Sequence, residues 1–198
     1  MKTAEFNQFL MSKGISVFSL GDAARILSKP RHYTSLFLRR DNSVSRIERG
    51  LYAIKGASEY EIASHIIVPA YISLISALRF HNLTEQMPNT IYVLSYKRHR
   101  PIADINGYKI IFKTVKKDLM FGYSKIDGVF VASPEKAVVD MIYLNAFIEY
   151  AAEAVESGKL NNTLVIKYAS KIKSTLLKRK ISQLIGTKNL NKQGAVNG

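Results

Sequence analysis

The sequence predicts an α+β chain in two parts, three short helices closed by a basic hairpin and then a larger mixed region with a helical end. Three observations carry this. Short amphipathic segments are punctuated by Gly14 and Pro30. Alternation around VSRIERGLYAI, Val44 to Ile54, reads as a hairpin. Apolar runs of strand composition follow, and SPEKAVVDMIYL then opens with the marks of a helix start.

Residues 3–13 place Phe6, Phe9 and Leu10 at helical spacing, and Gly14 stops the segment. Ser19 is an N-cap for a second helix with Leu20, Ala23, Ala24 and Leu27 on its apolar face, ended by Ser28-Lys29-Pro30. Pro30 suits the first turn of a third helix, RHYTSLFLRRD, to about Asp41. Two registers of this helix are open. If Thr34, Phe37 and Leu38 are buried, then Arg31, His32, Ser35 and Arg39 face outward with Arg40 at the margin, and no charge enters the core. If Tyr33, Leu36 and Phe37 are buried, Arg31, Ser35 and Leu38 point away. The first is preferred. In the hairpin, Ile47, Tyr52 and Ile54 are expected on one face, with Arg46, Glu48 and Arg49 outside and around a three-residue turn closed by Gly50.

Three helices, a tight connection before the third, and a basic hairpin make a winged helix-turn-helix, whose third helix enters the major groove while the wing lies on the flanking DNA. Arg31, His32, Ser35, Arg39 and Arg40 are the expected contacts on the helix, and Arg46 and Arg49 those on the wing. Arg fits a guanine edge bidentately, and Ser or His reaches base or phosphate. A solvated basic face and an edge hairpin kept soluble by its charges are the competing readings.

Charge agrees with a polyanionic partner. The 198 residues carry 29 Lys+Arg against 15 Asp+Glu, a net +14. Residues 1–56 hold 10 basic and 4 acidic side chains, 57–146 hold 10 and 8, and 147–198 hold 9 and 3, so the basic excess sits at the two ends. With no cysteine there is no disulfide or thiolate metal site, and a cytoplasmic setting fits. The apolar run Ile66 to Leu78 contains a proline and two serines and is shorter than the ~20 residues of a membrane span. The histidines His32, His65, His81 and His99 are scattered, so no metal site is expected. No cofactor motif or nucleophile elbow is present, and neither a cofactor nor an enzymatic activity is expected.

The second part begins near Ser58. Residues 59–65 read as a helix, Pro69 interrupts, and YISLISALRFHNL, Tyr71 to Leu83, reads as another, with Ser73, Ser76 and Ala77 small enough for close packing. Strands are expected over 91–96, 108–115 and 127–133, with Asn106-Gly107 turning between the first two. Glu135 and Asp140 raise the alternative of a metal-dependent nuclease. Glu135, in the first turn of its helix, is better explained by the helix dipole, and five residues is a poor spacing for sharing a face. From Ala146 the chain reads as helical, broken at Ser157-Gly158 and Asn161-Asn162. It closes with a basic amphipathic helix, KSTLLKRKISQLIG, and a disordered tail, NKQGAVNG.

RIERGLYAI, EIASHIIVPAYISLISALRFHNLTEQMP, IYVLSYKRHRP, FGY at Phe121 to Tyr123 and VASPEKAVVDMIY occur in that order and together resemble the AbiEi-type antitoxins of type IV toxin-antitoxin systems. The resemblance covers roughly Ser19 to Leu144. It implies an N-terminal winged helix-turn-helix DNA-binding domain followed by an antitoxin domain; joined to the residue reading, the expected divisions are 1–56, an α+β antitoxin domain over 57–190 whose lysine-rich helical end departs from the family's motifs, and a disordered tail over 191–198. It further implies a repressor that binds repeats in its own promoter and counters a nucleotidyltransferase toxin without a stable complex, in abortive infection against phage.

Overall fold

The computed structural model describes residues 2–85 and 89–194 and has mixed α and β structure with two sheets. Helices α1 (Thr3–Ser12), α2 (Leu20–Leu27) and α3 (Arg31–Arg40) precede a hairpin of β2 (Val44–Glu48) and β3 (Leu51–Ile54). A short strand that the sequence pattern does not announce, β1 (Val17–Ser19), pairs antiparallel with β3, giving the order β1-β3-β2. Three residues are too few to show alternation, and the neighbouring edge of β3 decides their state.

α2 starts as the sequence predicts. Ser19 Oγ accepts the Asp22 N–H at 3.0 Å, and Asp22 Oδ2 accepts the Ser19 N–H at 3.1 Å, a capping box. Pro30 stands one residue before α3. α3 takes the preferred register, with Thr34 and Leu38 buried and Tyr33 and Leu36 about half exposed. Phe6, Leu10, Phe18, Ala23, Leu27, Leu38, Val44 and Tyr52 form one buried cluster, in which Phe6 meets Phe18 and Phe37 edge-on at 5.8 and 5.6 Å.

The hairpin differs from expectation in two respects. Glu48 pairs with Leu51, so Arg49 and Gly50 alone make the turn, with Gly50 at φ 83°. A bulge between Arg46 and Glu48 shifts the register, and Ile47 packs with Val17, Ala53, Ala57 and Ile62 rather than with Tyr52 and Ile54. One extra residue sends the next side chain to the other face, which strict alternation does not foresee.

The second sheet has the order β6-β7-β5-β4-β9-β8, built from β4 (Tyr71–Ile72), β5 (Thr90–Ser95), β6 (Ile102–Ile105), β7 (Tyr108–Thr114), β8 (Tyr123–Ile126) and β9 (Val129–Ala132). β4 with β9 and β5 with β7 are parallel, and the other pairs are antiparallel. β4, β6 and β8 are corrections to the elements expected from sequence. Asn106-Gly107 turns between β6 and β7, both at positive φ, rather than between β5 and β7. Helices α4 (Glu59–His65), α5 (Leu74–Phe80), α6 (Pro134–Leu144), α7 (Ile148–Glu156), α8 (Asn162–Ser170) and α9 (Thr175–Gly194) complete the fold, and their apolar residues share one large buried cluster with the sheet. α9 runs through Asn191–Gly194, in place of the expected disordered tail, and residues 195–198 of that tail lie outside the described residues. Among the described residues no helix is long and apolar enough to cross a membrane.

The largest correction is at residues 71–73, which form the two-residue central strand β4 and the extended N-cap of α5 instead of the first turn of a helix. The cause is a buried polar cluster. Asp140 on α6 accepts from the Tyr71 hydroxyl at 3.1 Å and the Ser73 hydroxyl at 2.8 Å, and it pairs with Lys136 one turn earlier. Residues 71 and 73 point the same way only in extended chain, because in a helix two-residue neighbours diverge by about 200°. Lys136 is fully buried, donates to the Tyr71 hydroxyl at 3.0 Å, and lies 4.9 Å from the centre of the Phe121 ring. Ser73 and Ser76 therefore act as hydrogen-bonding groups and not merely as small residues. Ser76 Oγ accepts the Tyr92 N–H at 3.0 Å and donates to the Thr90 carbonyl at 3.3 Å.

Candidate nucleic-acid interface

The seven residues singled out in the sequence fall into two groups on one side of α3 and the hairpin. Arg31, Ser35, Arg46 and Arg49 line a single open cleft of about 600 Å³, together with Ser19, Leu20, Gly21, Gly50 and Tyr52. Its parts come from the start of α2, from α3 and from the hairpin. The pairing of Arg46 with Tyr52 explains how an arginine enters it. The two residues share a face of the hairpin, Tyr52 fills the core, and Arg46 extends past it with its Nε donating to the Glu48 carbonyl at 3.2 Å. His32, Arg39 and Arg40 are exposed on α3 outside this cleft.

The distribution of carboxylates makes this surface cationic. Glu5 accepts the Lys2 N–H at 3.0 Å. Asp22 is taken by Ser19 and Arg25. Asp41 is buried and accepts the Ser43 N–H at 2.9 Å, and Glu48 Oε2 lies 3.1 Å from His99 Nε2. The acids of residues 1–56 are thus each engaged by a partner other than Arg31, Arg46 and Arg49. Among the described residues, no ion pair engages Arg31, Arg39, Arg40 or Arg49. Uncompensated arginines around a concave surface concentrate positive potential there.

Two extensions of this surface are not foreseen from sequence. A second open cleft, about 560 Å³, shares Ser19, Gly21 and Arg31 with the first and adds Arg25 and Lys29. A third, about 520 Å³, runs between Arg49 on the hairpin and His99, Arg100 and Pro101 of the loop from β5 to β6. The KRHR run in that loop is visible in the sequence as charge. Its position beside the hairpin depends on a contact 51 residues apart, which no local pattern reports.

The capping box gives this corner a pH dependence. The Ser19 hydroxyl holds the Asp22 carboxyl below its ordinary value of 3.8, outweighing partial burial, with the Ser19 N–H and Arg25 adding to the effect. A depressed carboxylate stabilises the fold above pH 3.8 and stops doing so as pH falls through its folded value. Asp22→Asn should therefore lower the urea midpoint at pH 7 and lower it less at pH 3. An equal loss at both values would assign the effect to packing.

Glu135 and Asp140 do not converge. The Glu135 carboxylate accepts the Asn161 N–H at 3.2 Å, whereas Asp140 is enclosed by Lys136, Tyr71 and Ser73. Among the described residues no group of three or more His, Cys, Asp and Glu side chains is placed to hold a metal ion. No protein-family model and no curated protein matches this chain.

Proposed function

We propose that this chain is a DNA-binding transcriptional repressor whose residues 1–56 form a winged helix-turn-helix, with α3 entering the major groove and the β2-β3 hairpin as the wing. The observation that carries the reading is the joint cleft of Arg31, Ser35, Arg46 and Arg49, in which helix and hairpin present cations to one ligand while the nearby carboxylates are engaged elsewhere. Arg49 continues this surface to Arg100. Such spacing suits a phosphate backbone tracked by several contacts.

The second half of the proposal rests on the resemblance to AbiEi-type antitoxins. On that basis the repressor acts on its own promoter, and residues 57–190 counter a nucleotidyltransferase toxin without forming a stable complex. Three of the motifs behind the resemblance, PAYIS, FGY and EKAVVD, meet in the cluster of Tyr71, Ser73, Phe121, Gly122, Lys136 and Asp140. They describe how this part of the fold is held together.

Fluorescence anisotropy with promoter DNA at a series of salt concentrations tests the DNA reading. About five phosphate contacts give a log-log slope near −4.5, and Arg49→Ala should flatten it by about one unit. Equal affinity for promoter and random duplexes would overturn sequence-specific repression. Mg²⁺-dependent cleavage of the same DNA would favour a nuclease.

A further inference from the structure

The outward face of α3 is basic at its flanks and apolar at its centre. His32 and Leu36, one turn apart, lie opposite the buried Thr34 and Leu38, with Arg31 and Arg39 toward one edge and Arg40 toward the other. Leu36 is 49% exposed, and Tyr33 beside it is 51% exposed with the Lys29 ammonium 5.7 Å from its ring centre. A leucine at that point is not held there by the core, because the register that would bury it is not the one adopted.

We infer that Leu36 reads thymine, packing its side chain against a 5-methyl group on the floor of the major groove, with His32 as its neighbour along the helix. The inference rests on the DNA-binding reading above and extends it to base specificity. Thymine's methyl is the one apolar feature that the major-groove edges of the four bases present, and aliphatic side chains recognise it by burial alone. The charge around Leu36 selects the partner. A second copy of this face would bring Arg31, Arg39 and Arg40 against their own kind, whereas a duplex supplies phosphates on both sides of the groove for those arginines and a methyl for the residue between them.

The experiment starts from duplexes selected by the full chain out of a random pool. Each thymine of the selected site is then replaced in turn by uracil, which deletes only the methyl. At one or two positions the replacement should weaken binding about fourfold, the effect of losing one buried carbon's worth of apolar surface. Leu36→Ala should abolish the difference between thymine and uracil at that position and leave the salt slope unchanged. Circular dichroism checks that the variant is folded, as expected for so exposed a side chain. If uracil is tolerated at every position while sequence preference persists, or if Leu36→Ala keeps the same sensitivity, the inference fails and the repressor reading stands. A pool that yields no preferred sequence removes both. A dimer seen by light scattering without DNA and lost in Leu36→Ala would identify the patch as a protein interface and overturn the inference alone.

Discussion

Asp140→Ala should lose about 3–5 kcal/mol of folding free energy, a large part of the 5–15 kcal/mol typical of a domain. The effect is large because Asp140 is buried with three partners. Its removal strands the Lys136 ammonium with only the Tyr71 hydroxyl and the neighbouring ring faces. Burial pulls the Lys136 ammonium below its ordinary value and pushes the Asp140 carboxyl above its own, and the contact between them opposes both shifts. Deleting Asp140 removes that opposition and leaves the burial. The double variant Lys136→Met, Asp140→Leu removes both charges, and it should recover roughly half or more of the loss, since an apolar pair of similar volume often replaces a buried ion pair at little cost. Urea denaturation of the wild type, both single variants and the double variant measures the coupling. A single-variant loss below about 1 kcal/mol would be typical of a solvated pair and would contradict this account.

The triple variant Arg31→Ala, Arg46→Ala, Arg49→Ala should bind duplex DNA about a hundredfold more weakly at 0.15 M salt. Counterion release at a slope of 0.9 per contact contributes about 0.7 decade each at that concentration, so three contacts amount to about two decades. The slope itself should fall from near −4.5 to about −1.8. All three arginines are exposed and line the same cleft, so the fold should survive, and an unchanged urea midpoint checks this. An affinity loss with the full slope retained would mean that the arginines act through the shape of the cleft and not through phosphates. No loss at all would overturn the proposal that this cleft binds DNA.

Much of the N-terminal part is legible in the sequence because its signals are local. Ser19 and Asp22 cap one another across three residues, Pro30 stands at the entry to α3, and burying Leu38 while freeing Arg39 follows from keeping charge out of a core. The same reasoning misplaces Ile47, because a single bulged residue inverts the alternation on which it relies. It also passes over β1 and β4, very short strands whose state is set by partners elsewhere in the chain, and over β6 and β8, each of which pairs with the strand just after it across a two-residue turn, Asn106-Gly107 and Asp127-Gly128.

The candidate interface divides along the same line. Sequence by itself determined that Arg31 and Ser35 face outward in either register of α3 and where the basic turn lies, since helical period, capping and glycine conformation act over a few residues. Only the tertiary structure decided that Arg46 and Arg49 share a cleft with Arg31 and Ser35, that the loop carrying Arg100 stands beside it, and that Leu36 occupies the middle of the exposed face. Only the tertiary structure, too, made the backbone extended from Tyr71 to Ser73, because an extended chain is what lets both hydroxyls reach Asp140, far downstream on α6. Local preferences choose among conformations that differ by about 1 kcal/mol, whereas leaving a buried carboxylate without its partners costs several times that, and so the carboxylate sets the conformation.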